Sequence, residues 1–338
     1  MQTTETLDSP KMRYVKSYAA RLAYKSETQY PPEIPGVRNA IDVHCHAHEG
    51  QQDALALAKY ASRNGMSGIL YKTITGRNWP ARTCQRLRDE LIRWCESEKI
   101  SPVTCWAGYM TDCAGPPSAQ TVRDQLQTGV KAVWMPVTMH ANTLSKVGFL
   151  DNSRKPNGAL PWEEALKVGH YLLDNRGRLK QEIREIMRIV ADCEAALFFG
   201  HATHLEIFAM AEEVDKLGFK RAVVDHPFSP FVDLSVEQMQ RLAHVGIYLN
   251  FTYDELSPLL GVDPYTMYQA IRILGPEHVI LSSDGGDPLF PNSVECIRLI
   301  RAYMQAFGLS DKEIHRVSTV NPGTVVGADQ RGFSFTHI

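Results

Sequence analysis

The stretch IDVHCHAHEG (residues 41–50) places three histidines at alternate positions at the end of a short apolar run. The apolar run predicts a β-strand, and alternate residues of a strand point to the same side of the sheet. His44 and His46 are therefore expected to project together from the end of this strand. The chain has 12 histidines in 338 residues, so three of them within one short stretch indicate a dedicated site.

The same pattern, a short apolar run followed by a stretch of helical length, recurs along the chain. Apolar runs predict strands at 40–46, 67–72, 102–110, 131–137, 195–201, 221–226, 246–252 and 278–284. Amphipathic stretches predict helices at 51–65, 83–99, 118–129, 179–194, 204–218, 235–246, 263–275 and 292–308. Eight strand–helix pairs are the number that closes a parallel barrel. We therefore predict an α/β protein with a (β/α)8 TIM barrel.

The main alternative to a barrel is an open, doubly wound sheet. Such a sheet normally carries a glycine-rich turn after its first strand, whereas here histidines occupy that place. We divide the chain into an N-terminal extension (1–38), a barrel (39–327) and a C-terminal tail (328–338). The extension is expected to pack on the barrel or on a neighbouring subunit of a homo-oligomer. The long loop between the fourth strand and the fourth helix, residues 138–178, is expected to form a lid.

The bulk composition argues against several classes of protein. The chain is 44% hydrophobic and 22% charged, as in average globular proteins, and its net charge of -2 gives no broad attraction to nucleic acid or anionic lipid. No segment approaches the ~20 apolar residues of a membrane span, and the N-terminus lacks the apolar core of a signal peptide. The seven scattered cysteines form no CxxC pair, which indicates a reduced, cytoplasmic protein. We expect a small-molecule partner, and neither nucleic acid nor a membrane.

Polar side chains stand at the ends of several predicted strands. In a parallel barrel the active site lies at the carboxyl ends of the strands. The residues at the ends of strands one, two, five, six and eight are His44 with His46, Lys72, His201, His226 and Asp284. Packing alone does not explain them, because a buried polar group without a partner costs roughly 1–3 kcal/mol. Since histidine and aspartate are common metal ligands, the sequence predicts a metal site at the mouth of the barrel.

Asp284 is the candidate catalytic residue of this site. One of its oxygens can bind a metal, and the other can accept a proton. A metal lowers the pKa of a bound water to about 7, and a carboxylate beside that water can act as a general base. Zinc is the expected ion, with manganese, iron and nickel as alternatives, because histidine and aspartate suit all of these metals.

The motifs around these residues resemble those of a known superfamily. DVHCH (42–46), FFGH (198–201), VVDH (223–226) and LSSD (281–284) resemble the metal-ligand motifs of the amidohydrolase superfamily. The closing LSDKEIHRVSTVNPGTVVG (309–327) is similar to the last helix of that superfamily, so that the resemblance spans the whole predicted barrel. Within the superfamily, GILYKT and GVKAVWMPV look most similar to an uncharacterised branch of predicted hydrolases.

The resemblance implies a metal-dependent hydrolase that cleaves a C–N or C–O bond (amide, lactone or ester) of a small molecule. It assigns His44, His46, His201, His226 and Asp284 to the metal. HVILSSDGGDP is also similar to a motif of relatives that decarboxylate unsaturated or aromatic acids, so a metal-dependent lyase is an alternative. A non-catalytic barrel stabilised by metal is a third reading, because fold alone does not establish catalysis.

Lys72 leaves the number of metal ions open. Many two-metal relatives carry a bridging carboxylated lysine at the end of the fourth strand, where this chain has Thr138 and His140. The strand-end lysine here is Lys72, on the second strand. It is a candidate for a carboxylated bridge, a protonated substrate anchor or a surface residue, and the site accordingly holds one or two ions.

Five further residues are candidates for the substrate pocket. His48 and His204 lie just beyond ligand positions, where each either contacts substrate or occupies an exposed loop. Tyr109, Trp134 and His140 lie at or after strand ends, where they either line the pocket or serve packing.

Two aspartates lie near ligand histidines in the sequence, Asp42 two residues before His44 and Asp225 directly before His226. A strand neighbour points to the opposite face of the sheet. Adjacency therefore does not assign Asp225 to His226, and the sequence leaves the partner of Asp42 open.

Overall fold

A computed structural model describes residues 36–47, 52–74, 80–113, 115–148, 158–287 and 289–328 of the protein. Eight parallel strands in this part of the chain form one sheet, in which the strands follow each other in chain order. They are β1 (Ile41–Ala47), β2 (Gly68–Ile74), β3 (Thr104–Met110), β4 (Ala132–Trp134), β5 (Ala196–Phe198), β6 (Ala222–Asp225), β7 (Tyr248–Thr252) and β8 (Val279–Ser282). The predicted (β/α)8 barrel is confirmed.

Backbone hydrogen bonds between β1 and the residues after β8 close the barrel. Asp284 N donates to His44 O, and His46 N donates to Gly285 O, each at 2.9 Å. Closure leaves neither strand as an open sheet edge. The closing seam therefore passes through three of the residues that the sequence assigns to the metal site.

Helices lie between consecutive strands. They are α1 (Ala54–Arg63), α2 (Pro80–Glu98), α3 (Ala119–Gln127), α4 (Ala141–Lys146), α5 (Trp162–Val168), α6 (Gln181–Asp192), α7 (His204–Leu217), α8 (Val236–His244), α9 (Tyr253–Leu256), α10 (Pro264–Leu274), α11 (Ser293–Phe307), α12 (Asp311–His315) and α13 (Asn321–Val326). Side chains such as Asp53 at α1 and Ser235 at α8 accept hydrogen bonds from first-turn amides, which explains where these helices begin. Within the described ranges, no helix has the length and apolar character needed to cross a membrane.

Aromatic side chains fill the interior of the barrel. Trp134 and Phe198 are fully buried, and their stacked rings lie 4.2 Å apart between centroids. A Cβ atom at Gly108 would lie 2.2 Å from the Trp134 ring, and one at Gly68 would lie 2.2 Å from the Trp106 ring. Glycine on a neighbouring strand thus makes room for each indole. Because the interior is filled in this way, a site for a small molecule is confined to the mouth of the barrel.

The long connection after β4 contains two short helices, α4 and α5. They pack against each other through Ala141, Leu144 and Ala165, which are fully buried. The two ends of the connection are joined where His170 N donates to Met139 O at 2.7 Å and Ala141 N donates to His170 O at 2.8 Å. The predicted long loop is therefore a compact insertion in its described part, while residues 149–157 lie outside the described residues.

The predicted terminal segments fall mostly outside the described residues, which exclude 1–35 and 329–338. The division into extension, barrel and tail thus stays a prediction at both ends. The Asn-Pro pair of the closing segment lies at the start of α13. Asn321 Nδ2 donates to Pro276 O at 2.7 Å and to Val279 O at 2.6 Å, which ties this helix to the amino end of β8.

Candidate metal centre

Three side-chain atoms converge at the mouth of the barrel. Asp284 Oδ1 lies 3.0 Å from His44 Nε2 and 3.1 Å from His46 Nε2. Among the described residues, His44, His46 and Asp284 form a group whose ligand atoms all lie within 4.8 Å of one another. Two imidazole nitrogens and one carboxylate oxygen are a donor set typical of zinc and its neighbours in the first row.

The surroundings of His44 fit a bound cation. Both of its ring nitrogens are fully buried, and neither makes a hydrogen bond of acceptable geometry, although each faces a carboxylate oxygen at 3.0 Å. A buried polar atom without a hydrogen-bond partner destabilises the folded protein. A divalent ion between Nε2 and Asp284 would satisfy the nitrogen and the carboxylate together, so the residues present fit the metal that the sequence predicts.

His201 and His226 lie beside this group. Their ring centroids are 4.9 Å apart, and the centroids of His226 and His44 are 5.8 Å apart. His201 Nδ1 is hydrogen-bonded to Thr143 Oγ1 at 3.0 Å, and His226 Nδ1 to Ser229 Oγ at 2.9 Å. With Nδ1 engaged in this way, Nε2 is the ring nitrogen of each that can serve the metal or the substrate. The structure thus brings together the five residues that the sequence assigns to the metal.

The electrostatics of the site favour neutral imidazoles. Burial lowers the pKa of His46 and of His226 to about 4, and burial lowers that of His201 well below its usual value. These three rings are therefore unprotonated at neutral pH, which is the form that binds metals. Burial also acts to lower the pKa of His44, but the carboxylates of Asp225 and Asp284 raise it to about 9. A proton held there between two carboxylates would be released when a metal binds.

Asp284 and His226 both have a left-handed backbone, with φ of 47° and 35°. This region is unfavourable for residues with a Cβ atom. Backbone hydrogen bonds hold both residues in it, since Asp284 N donates to His44 O and His226 N donates to Asn250 O at 2.8 Å. This backbone conformation directs the side chains of His226 and Asp284 toward the mouth just after β6 and β8 end.

Asp225 orients His44 and not the histidine next to it in the sequence. Its Oδ1 lies 3.0 Å from His44 Nδ1, on the far side of the ring from Asp284. The same carboxylate accepts hydrogen bonds from Trp134 Nε1 at 2.9 Å and from Asn250 Nδ2 at 2.8 Å. Such an outer carboxylate fixes the orientation of a metal-binding imidazole and increases its basicity. Trp134 therefore supports the site from below.

We expect Asp225→Asn to weaken metal binding by about 10- to 100-fold. The amide lacks the negative charge that orients His44, and its NH2 group would face the donors Trp134 and Asn250. The measurement is a metal titration against a competing chelator. Asp233→Asn, at an exposed aspartate of the following loop, is the matched control and should leave affinity unchanged. Equal affinities in the two variants would contradict the role of Asp225.

Asp42 holds β1 against the end of β8. Its carboxylate accepts hydrogen bonds from the amides of His44 and Ser283, each at 3.1 Å, and from Ser283 Oγ at 2.6 Å. Burial raises the pKa of this carboxyl to about 6. Asp42 thus fixes the seam that carries His44 and Asp284, and its side chain engages backbone amides and a hydroxyl.

Lys72 lies at the mouth of the barrel, whereas Tyr109 packs in the apolar layer between the strands and the helices, with Ala119 and Val122. Lys72 is 3% exposed and Tyr109 is 4% exposed, and both line a narrow cleft between β2 and β3. Lys72 shares the face of β2 occupied by Leu70 of the barrel interior, because alternate residues of a strand point the same way. The ammonium group is therefore directed into the mouth of the barrel. Of the three interpretations of Lys72, the one as a surface residue does not agree with its burial.

Two other candidate histidines make contacts that hold loops in place. His140 is fully buried, its Nδ1 accepts from Asn142 N at 3.0 Å at the start of α4, and its Nε2 lies 3.3 Å from Glu206 Oε1. His204 Nε2 contacts Val232 O at 2.5 Å. These contacts anchor the insertion and the β6–α8 loop. The remaining candidate, His48, lies outside the described residues.

Sequence reasoning missed three residues next to the site. Thr73 Oγ1 is hydrogen-bonded to His46 Nδ1 at 2.8 Å, which fixes that ring as Asp225 fixes His44. Thr143 lies in the insertion and contacts His201 as described above. Asp254 follows β7, and burial together with the negative charge of Asp284 raises its pKa to about 7. An acidic residue two positions after a strand end was the available signal for Asp254, whereas no signal marks the two threonines.

Comparison with known proteins supports a shared origin for part of the chain. A family model described as a family of unknown function (DUF6282) matches residues 39–250. The chain belongs to this family. The match covers β1 to β6, the first part of β7 and four of the five candidate metal-site residues of this DUF6282 member, and no curated protein sequence matches it.

Three solved structures with the same fold are distant from this chain in sequence. An amidohydrolase from Pseudomonas aeruginosa is 13% identical, with 87% of this chain and 98% of that chain covered and a TM-score of 0.56. A dihydroorotase is 12% identical, with 87% and 70% covered and a TM-score of 0.52. A TatD homologue from Escherichia coli is 14% identical, with 86% and 98% covered and a TM-score of 0.50. The DUF6282 chain therefore has the barrel fold of amidohydrolase structures, as its strand-end motifs predict.

Proposed function

We propose that this protein is a metal-dependent hydrolase that cleaves an amide, lactone or ester bond of a small molecule. The observation that supports this most is the convergence of His44 Nε2, His46 Nε2 and Asp284 Oδ1 within 4.8 Å of one another. The proposed ion is divalent, zinc first, with manganese, iron and nickel as alternatives. We propose one tightly held ion, because the described residues supply one converging set of ligand atoms.

The residues of the site have separate tasks in this proposal. A divalent ion would supply Lewis acidity toward a carbonyl group and toward water. Asp284 directs Oδ1 to the two histidines, and its other oxygen is available to take the proton of the attacking water. His201 and His226 have their Nδ1 atoms held by hydroxyl groups, so their rings are fixed for contact with the ion or the carbonyl oxygen.

Metal-dependent decarboxylation of a small unsaturated or aromatic acid is the second candidate. The buried cation Lys72 at the mouth favours a substrate with a carboxylate group. In that reaction the carboxylate leaves as carbon dioxide, and a protein group returns a proton to the carbon. Asp254, whose pKa burial and Asp284 raise to about 7, would be a proton donor near neutral pH.

The experiment that tests the proposal has two stages. Protein purified without chelators is analysed for metal content, and we expect about one equivalent of a divalent metal. The metal-loaded protein is then offered panels of aryl esters, lactones and N-acyl amino acids, followed by aromatic carboxylic acids. Hydrolysis supports the first candidate, and carbon dioxide release supports the second. Folded protein that takes up no metal would contradict both, and metal without turnover on any panel would favour a non-catalytic barrel.

The compartment and the oligomeric state are proposed from the free cysteines and from the N-terminal extension. All seven cysteines are free, five of them buried, which supports a reducing compartment such as the cytoplasm. We also propose a homo-oligomer whose contacts involve the N-terminal extension. Light scattering of the full chain and of a chain lacking residues 1–35 measures this directly.

A further inference from the structure

Lys72 is a buried cation without a direct partner in the described part of the chain. Its side chain is 3% exposed, and none of the carboxylates described forms an ion pair with it. The neighbouring carboxylates are committed elsewhere, Asp284 to His44 and His46, and Asp225 to His44. A buried ammonium group without a counter-charge is costly. An anionic group from outside the described residues would supply the missing counter-charge.

The positive charge of Lys72 acts on the pKa values of three histidines at the metal centre. Burial lowers the pKa of His46, His201 and His226, and the positive charge of Lys72 lowers these pKa values further. An ion held by neutral imidazoles and one carboxylate would keep a net positive charge. Lys72 adds a second positive charge beside it, so the mouth of the loaded barrel is suited to an anionic ligand.

The cleft next to Lys72 is narrow and mostly apolar. Its lining includes Ile74, Pro80 and Met110, with Tyr109 on the side of β3. The cleft has a volume of about 10 Å³, which is room for about one water molecule, so a ligand would meet Lys72 from the mouth of the barrel and not inside the cleft.

We propose that Lys72 binds the carboxylate group of the substrate and holds it beside the metal centre, which makes the natural substrate a small carboxylic acid. The inference rests on the proposed metal-dependent function and adds the substrate class to it. Lys72 is then a protonated anchor and not a carboxylated bridge. The described residues offer no second cluster of ligands for the further ion that a carboxylated lysine would bridge.

The test compares benzoate with its neutral analogue benzamide on zinc-loaded protein by calorimetry. We expect the wild type to bind benzoate more tightly than benzamide. Lys72→Met should weaken benzoate binding by about 10- to 100-fold at unchanged zinc content, and benzamide binding should stay the same. Lys72→Arg should retain part of the preference because it retains the charge. The surface variant Lys216→Met, at a residue 67% exposed, should behave as wild type.

Several outcomes would overturn this assignment. Equal benzoate affinities of wild type and Lys72→Met at equal zinc content would do so. A carbamate carbon signal by NMR, after incubation of the wild type with isotope-labelled bicarbonate, would show a carboxylated lysine instead. If the neutral variant does not fold, a wild type that binds benzoate no better than benzamide still refutes the anchor. Loss of zinc from the wild type would count against the proposed function itself, so the two failures are distinguishable.

Discussion

Replacement of both His44 and His46 by alanine is expected to remove nearly all bound metal and, with it, nearly all of the proposed hydrolytic activity. The two rings supply two of the three atoms that converge within 4.8 Å. Asp284 would remain with a carboxylate that has lost both of its close imidazole neighbours. A single carboxylate holds a transition metal far more weakly than a set of three ligands. Metal content by elemental analysis is the primary readout, and activity is the second.

The control for this double variant replaces two exposed histidines by alanine. His244 and His315 are exposed, at the ends of α8 and α12. The double alanine variant at these positions should retain full metal content and activity. Circular dichroism would establish that both double variants are folded. Full metal content in a folded His44→Ala, His46→Ala protein would refute the metal centre.

Asp284→Asn is expected to retain most of the metal and to lose turnover by about 10²- to 10⁴-fold. The amide oxygen can take the position of Oδ1 between the two histidines. An amide does not accept a proton from water as a carboxylate does, so the step that depends on a general base fails. Asp284→Ala, which removes both oxygens, should lose metal as well as turnover.

The matched control for Asp284 lies on the same loop. Asp287 is exposed, and its Oδ1 accepts a hydrogen bond from Leu289 N at 2.8 Å, which an asparagine can also accept. Asp287→Asn should therefore leave both metal content and turnover near wild type. Unchanged turnover in Asp284→Asn would remove this residue as the base and leave it only as a ligand.

The fold was predictable because its signal is local and repeated. Each strand of a barrel is covered on both faces, so it appears in the sequence as an apolar run. Each helix between strands shows apolar residues at helical spacing. The residues at the strand ends were also predictable in kind. His44 and His46 share one face of one strand, and His201, His226 and Asp284 follow three other strands that meet at the same end of the barrel.

The supporting contacts were not predictable because they join positions far apart in the sequence. Asp225 is next to His226 in the chain but orients His44, which lies across the barrel. Thr73 holds His46 from the neighbouring strand, and Thr143 holds His201 from the insertion after β4. Threonine is common in strands and turns, so neither residue type nor spacing distinguishes these two from any other threonine.

The sequence by itself determined the barrel and the identity of the atoms that can bind a metal. Apolar periodicity and residue type are properties of the chain, and eight repeats leave little choice of architecture. Only the tertiary structure decided which partner orients each ring, how the left-handed backbone aims Asp284 and His226, and that Lys72 is buried. Those properties depend on the closure of β1 against β8, which brings residues more than two hundred positions apart within hydrogen-bond distance.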